Sequence, residues 1–302
     1  MKDLAAYLAR RLSGEVRVDE PMARHTTWRI GGPADLFIEP AGVEELAFVL
    51  RYLREQGVPT AVIGNGSNLL VADSGVCGAV VKLGTRMGRI EVEGTRIRAE
   101  AGARLARVAG AAMRVGLSGF EFTTGIPASV GGAIMMNAGA HDRSMADVVG
   151  RVTVLDTAGR LMTRTAQECG FGYRQTVLQR EGLIVVEAAL RGTPRNPAEI
   201  REEMGELLRR RRCVQPLEYP SAGSVFKNPP GDAAGRLIDR AGGKGLRVGD
   251  AEVSIRHANF IVNLGSAKAR DVRELIARVR ELVAARFGIT LELEVKLLGE
   301  DP

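Results

Sequence analysis

The sequence predicts an α+β fold: helices and short strands are mixed, yet their order does not describe one doubly wound sheet. Two observations lead there. Apolar residues recur at helical spacing in some segments and as short strand-like runs in others. No internal repeat or low-complexity tract is visible, which removes solenoid architectures. At 302 residues, the chain has room for two or three domains, each with its own core.

The elements follow in order. The opening stretch MKDLAAYLARRLSGE reads as an amphipathic helix with charges throughout, without the apolar region or cleavage site of a secretory signal. A strand at Ala34–Ile38 precedes a helix over Val43–Glu55, whose Val43, Leu46, Ala47, Leu50 and Leu53 share one face. Strands at Thr60–Ile63 and Ala79–Leu83 complete a βαβ-like unit. A second block has strands at Arg89–Glu93 and Ile97–Ala99, a helix over Leu105–Val115, then strands at Val152–Asp156 and Leu183–Leu190. The Arg191–Pro197 stretch reads as a linker; Asn196 suits an N-cap and Pro197 the first position of a helix over Ala198–Arg211. The third block holds the loop Tyr219–Gly231, a short helix at Ala233–Arg240, a strand at Phe260–Asn263, a long helix at Ala269–Phe287 and a last strand at Leu291–Leu297.

Composition excludes several functions. No run of 18 apolar residues exists, so a membrane span is not expected, and a cytoplasmic protein is. Cys77, Cys169 and Cys213 are odd in number and form no CxxC pair, and His25, His141 and His257 are equally scattered; neither a disulfide framework nor a metal site is expected. The net charge of +6 would suit nucleic acid, but aromatics are only 4% and do not alternate with the basic residues, so base-stacking platforms are missing. The Arg209–Arg212 run reads as a solvated helix end, where cations suit the dipole. The surplus charge equally suits an anionic small molecule.

Five segments carry chemistry. Gly64-Asn65-Gly66-Ser67-Asn68-Leu69 follows an apolar strand, and its glycines let backbone N–H groups converge as around a phosphate. Leu69 stands where a Rossmann fingerprint needs a third glycine, and a plain turn between strands is the competing reading. Gly125-Ile126-Pro127-Ala128-Ser129-Val130-Gly131-Gly132-Ala133 leads into Ile134-Met135-Met136-Asn137-Ala138-Gly139. Pro127 fixes one backbone angle, and Gly131 and Gly132 permit close approach of a ring, a diphosphate or simply another element. Two such turns about sixty residues apart suit one extended dinucleotide. In Ser221-Ala222-Gly223-Ser224-Val225-Phe226-Lys227-Asn228-Pro229, Ser224 lacks a GxSxG context. It is a turn residue or a proton donor aided by the positive charge of Lys227. Phe171-Gly172-Tyr173-Arg174 and Leu291-Glu292-Leu293-Glu294-Val295 complete the set; alternation places Glu292 and Glu294 opposite the apolar residues, on a solvated face.

Together and in this order, these motifs resemble the UDP-N-acetylenolpyruvoylglucosamine reductase (MurB) family. The likeness extends from HTTWRIGGPAD at His25–Asp35 to LEVKLLG at Leu293–Gly299, with HANFIVN at His257–Asn263 between. The short segments after Arg174 and Pro229 resemble the family's shorter form, which lacks an inserted loop bearing a substrate-stacking tyrosine. Gly243 and Asp250 depart from its usual Leu and Gly.

The resemblance implies a vanillyl-alcohol-oxidase (PCMH-type) FAD fold, with FAD subdomains at 1–86 and 87–195 and a substrate domain at 196–302. It implies FAD as cofactor, NADPH as hydride donor and UDP-N-acetylglucosamine enolpyruvate as substrate, in a monomer without nucleic-acid or membrane partners. Ser224 would be the proton donor, Arg174 would bind the substrate carboxylate, and Glu294 would complete the site. Gly64–Leu69 and Gly125–Ala133 would hold the flavin. Lys227, Asn228, His257, Asn259 and Tyr173 would contact the substrate or nicotinamide. Two alternatives stand beside this reading: an FAD oxidase of the same fold acting on an alcohol or sugar, and a non-catalytic nucleic-acid-binding protein.

Overall fold

The computed structural model describes residues 1–300, and the chain forms two compact units. The first comprises Met1–Val18, Leu36–Asn65 and Gly78–Arg210; the second comprises Asp19–Asp35, Gly66–Cys77 and the chain from Arg211 on.

The first unit is built on two sheets. In one, strands Glu15–Pro21, Pro33–Glu39, Val76–Lys82 and Thr60–Ile63 lie side by side in that order. Thr60–Ile63 runs parallel to Val76–Lys82, with Thr60 opposite Ala79 and Ile63 opposite Lys82. The Val43–Glu55 helix crosses between strands as the apolar spacing requires, burying Leu46, Val49, Leu50 and Leu53. The strand expected at Ala79–Leu83 starts earlier, at Val76, because Gly78 takes a φ of +105° inside it and lets the backbone approach the Pro59 carbonyl.

The other sheet is antiparallel, in the order Leu161–Thr165, Val149–Leu155, Ile184–Arg191, Arg96–Glu100, Ile90–Glu93. Its strands alternate: Arg96 and Arg98 face solvent while Ile97 and Ala99 are buried. Helices Leu105–Arg114 and Val130–Met135 supply Leu105, Val108, Val130 and Ile134 to one apolar core shared with the first sheet.

Asn196 caps the next helix, its Oδ1 accepting from the Ala198 amide at 2.9 Å. That helix runs Pro197–Val214, three residues beyond the expected end. The arginine run therefore lies within its last turns. Arg210 pairs with Glu206, but Arg211 is half-buried and its Nε has no hydrogen-bond partner; burial holds its pKa below the ordinary value. The solvated-end reading fails at Arg211.

The second unit has a three-stranded antiparallel sheet, Arg247–Val248, Ala251–Val253 and Ile261–Asn263, with helices Ala234–Arg240 and Ala269–Phe287. The long helix buries Val272, Leu275, Ile276, Val279 and Val283, and Gly288 ends it in a left-handed turn at φ +68°. Trp28, fully buried, belongs to this core; its indole N–H donates to Ile261 O at 2.8 Å, and Asn263 Nδ2 returns a bond to Trp28 O. The HTTWRIGG motif thus serves packing of the C-terminal unit.

The final strand differs from expectation. Only Lys296–Leu298 pairs as a strand, in parallel with Leu69–Val71. Leu291–Val295 instead bonds to the loop after Ser224, as its own neighbour in this unit. Leu291 and Val295 are buried and Glu292 is exposed, but Glu294 is partly buried, not solvated.

Candidate active site

In the first unit the two glycine turns meet. Asn65 Nδ2 donates to Pro127 O at 2.5 Å, and a Cβ built on Gly64 would lie 2.2 Å from Ser129 Oγ. Any side chain at Gly64 would displace that hydroxyl, which caps the Val130–Met135 helix by accepting from Gly132 N. Gly131 is explained by packing alone, since its Cβ would stand 2.8 Å from the Ala101 Cβ. Gly132 is not: only Ser129 Oγ comes near its missing side chain. Gly125 has a φ of +81°, which glycine tolerates without strain.

Beside the turns lies a cavity of about 240 Å³, lined by Gly64, Asn65, Ser129, Glu39, Lys82 and Arg104 among others. Burial pushes the Lys82 ammonium below its ordinary pKa, with Glu39 opposing and Arg104 adding to the shift. Two cations against one carboxylate, beside the Gly64 and Ser129 turns, fit the diphosphate of a dinucleotide such as FAD. Lys82, Arg104 and Glu39 line this cavity, and the sequence patterns single out none of them. They come from strand and loop ends far apart in sequence, and no local motif links them.

Arg174 lies in the same unit, in a tight turn where Gly172 and Gln175 pair. Its φ is +57°, and its guanidinium stands 5.0 Å from the Tyr173 ring centre. A non-glycine residue held in that region stores strain that the surroundings must offset. Tyr173 is exposed and Arg174 half-buried.

In the second unit the rest of the GNGSNLL turn joins the C-terminal motifs. Gly66 has a φ of +62°, and a Cβ there would lie 2.0 Å from the His25 carbonyl oxygen. Asn68 brackets Glu294: its Nδ2 donates to Glu294 O at 3.0 Å, and its own carbonyl accepts from Lys296 N. Glu294 N in turn donates to Val225 O, next to Ser224, and Lys227 N donates to Glu292 O, both at 2.8 Å. Thus Asn68, Glu294 and the Ser224 loop share one hydrogen-bonded layer. Ser224 itself is partly exposed and follows Gly223 at φ +74°.

Several of the residues expected to contact substrate also have partners within the protein. Asn259 is buried, and both ends of its amide bind Phe226: Oδ1 accepts from the amide at 2.9 Å and Nδ2 donates to the carbonyl at 2.8 Å. Through both bonds it holds the serine loop. His257 accepts the Asn259 amide on Nδ1 at 3.3 Å and sets its ring edge-on to Phe260. Burial holds its pKa below the ordinary 6.5, with Lys244 adding to the shift, so the ring is neutral near pH 7. Asn228 Oδ1 accepts from Ala234 N at the start of a helix. The Lys227 ammonium lies 3.2 Å from Glu292, which gives its charge a partner other than a serine alkoxide. Ser67 and Leu69 lie in this unit, Leu69 at the start of its strand; Ile126 and Ala133 lie in the first, Ala133 within the Val130–Met135 helix. Among the described residues no group of His, Cys, Asp and Glu could hold a metal ion, and no helix is long and apolar enough to cross a membrane.

Comparison with known proteins accounts for both units. Residues 34–165 match the FAD binding domain family, and residues 215–298 match the family described as UDP-N-acetylenolpyruvoylglucosamine reductase, C-terminal domain. The reductase of Desulforamulus reducens is 49% identical over 99% of this chain and 98% of its own length. That of Moorella thermoacetica is 51% identical over 98% of each. The crystal structure of the reductase (MurB) from Thermus caldophilus aligns with a TM-score of 0.82 at 42% identity, covering 95% of this chain and all of that one. The expected FAD fold holds, and the comparisons support the reductase reading over the oxidase alternative. With half its residues shared over nearly the whole of both chains, this chain belongs to the UDP-N-acetylenolpyruvoylglucosamine reductase (MurB) family, the FAD-dependent oxidoreductases of peptidoglycan precursor synthesis.

Proposed function

We propose that Ser224, Arg174 and Glu294 carry the reduction of UDP-N-acetylglucosamine enolpyruvate to UDP-N-acetylmuramate, and that the two glycine turns with Lys82 and Arg104 hold FAD. The observation that carries this reading is the layer in which Asn68, Glu294 and the Ser224 loop are hydrogen-bonded to one another. When bound, FAD supplies the hydride for the terminal vinyl carbon, having drawn it from NADPH. Arg174 binds the substrate carboxylate through a charge-assisted pair that strengthens as negative charge develops there. Glu294 assists only as a protonated or hydrogen-bonded acid, because a bare carboxylate would repel that charge. Ser224 delivers the proton to the ether-bearing carbon, and Asn259 keeps its loop in place through Phe226. Tyr173, stacked against Arg174, limits that side chain's freedom.

The three-part division at 1–86, 87–195 and 196–302 is proposed to describe the functional modules: one sheet each for the two FAD subdomains, then the substrate-binding part. A monomer acting in the cytoplasm, with no nucleic-acid or membrane partner, completes the reading.

Stopped-flow separation of the half-reactions tests it. Ser224→Ala should leave NADPH-dependent bleaching of the flavin fast and slow its reoxidation by the enolpyruvyl nucleotide by about 10²–10⁴-fold. A loss of less than tenfold removes Ser224 from the chemistry. Loss of yellow colour in the variant would make the residue structural.

A further inference from the structure

We infer that Asn137 is a positioning residue for Arg174: it fixes the turn that presents the guanidinium, and the reaction depends on its side-chain amide and not only on its place at a helix end. The inference rests on the assignment of Arg174 to the substrate carboxylate.

The Val130–Met135 helix ends in a Schellman-type cap. Asn137 N donates to Ile134 O at 3.0 Å and Ala138 N to Ala133 O at 2.8 Å, while Asn137 takes a φ of +41°. Backbone chemistry alone would favour glycine there, since glycine meets no Cβ penalty in the left-handed region. The asparagine side chain explains the difference. Its Nδ2 donates to Gly172 O at 3.0 Å and its Oδ1 accepts from Ala146 N at 3.0 Å. Asn137 is 8% exposed, so both bonds are shielded from competing water.

Gly172 is one half of the pair that closes the Gly172–Gln175 turn, and Arg174 sits inside that turn in its strained conformation. The same helix end grips the turn twice more. Thr176 Oγ1 donates to Met135 O at 3.1 Å, and the Gln179 side-chain amide also donates to Met135 O. Both of those bonds attach after the turn; Asn137 alone among these three attaches at its first residue. With both flanks held, Arg174 has little freedom to relax its backbone. Without the Asn137 amide Gly172 loses its tie to the helix end, and the guanidinium loses its fixed origin.

Asn137→Gly makes a discriminating test, because it keeps the backbone cap and deletes the two amide bonds. Asn137→Asp keeps an acceptor for Ala146 N and replaces the donor to Gly172 O by a repelling oxygen. Both variants should keep FAD and be reduced by NADPH at the parental rate. The second half-reaction should show KM for the enolpyruvyl nucleotide raised and kcat lowered, together on the order of 10–100-fold in kcat/KM, the scale of a misplacement of about 1 Å. Added to Arg174→Ala, Asn137→Gly should cause almost no further loss, since a residue acting through Arg174 has nothing left to position. A purely structural Asn137 gives the opposite pattern: a lower Tm, with kinetic losses that multiply with those of Arg174→Ala. Unchanged kcat/KM in Asn137→Gly, alongside a large loss in Arg174→Ala, overturns the inference and spares the role of Arg174. Unchanged turnover in Arg174→Ala overturns both.

Discussion

At His257 the ring accepts a backbone amide and lies partly buried, so the folded protein resists protonating it. The unfolded chain does not, and protonates it near its ordinary value of 6.5. The folded pKa is depressed, so the unfolded state binds the extra proton as acid is added. The stability from this neutral ring is therefore present above about pH 6.5 and is lost as pH falls through the folded value. The urea midpoint should drop as pH is lowered from about 6.5, and His257→Gln should flatten that slope. An identical slope in the variant would show that other groups set the acid response. His257 also illustrates what a residue's name reveals. A histidine in the HANF motif is visible in the sequence, but its partner amide is Asn259, whose own side chain is bound to Phe226, 33 residues away. Whether these groups touch substrate or hold a loop depends on that distant bond.

Glycine turns and helix ends are the elements where local sequence and geometry agree best. Asn196 and Pro197 begin a helix where capping chemistry places its start, and the Val43–Glu55 and Ala269–Phe287 helices have the bounds their apolar spacing predicts. The last strand does not: alternation in Leu291–Val295 is real, but its hydrogen bonds go to the Ser224 loop, a partner that periodicity cannot name. The GNGSNLL turn allows a direct test at this scale. Gly66→Ala would place a methyl against the His25 carbonyl and the Thr26 Cα, both backbone atoms that cannot swing aside, at a positive φ. It should destabilise the protein by more than about 1 kcal/mol and strip FAD from the purified protein. The checks are a lower urea midpoint at unchanged m-value and a reduced ratio of absorbance at 450 nm to that at 280 nm. A fully yellow variant of parental stability would remove the steric argument for this glycine.

For the whole molecule, a cofactor that binds only the folded form must raise its stability by mass action. Titrating FAD-free protein with FAD to about 100 times its Kd should add about 2.7 kcal/mol, read as a rising Tm that tracks the return of colour. A Tm indifferent to FAD would contradict a cofactor seated at the Gly64, Lys82 and Ser129 cavity. The sequence by itself determined the α+β class, most of the helices, both glycine turns and, through the order of its motifs, the reductase family. The elements were legible because capping, turn conformation and apolar periodicity are set by residues within a few positions of one another; the family came from the resemblance of its motifs. Only the tertiary structure decided that Trp28 belongs to the C-terminal core, that Lys82 and Arg104 line the cavity, that Asn259 holds the serine loop and that Asn137 grips the Arg174 turn. Each of these rests on a contact between residues tens to hundreds of positions apart, and such a contact exists only once the chain has closed on itself.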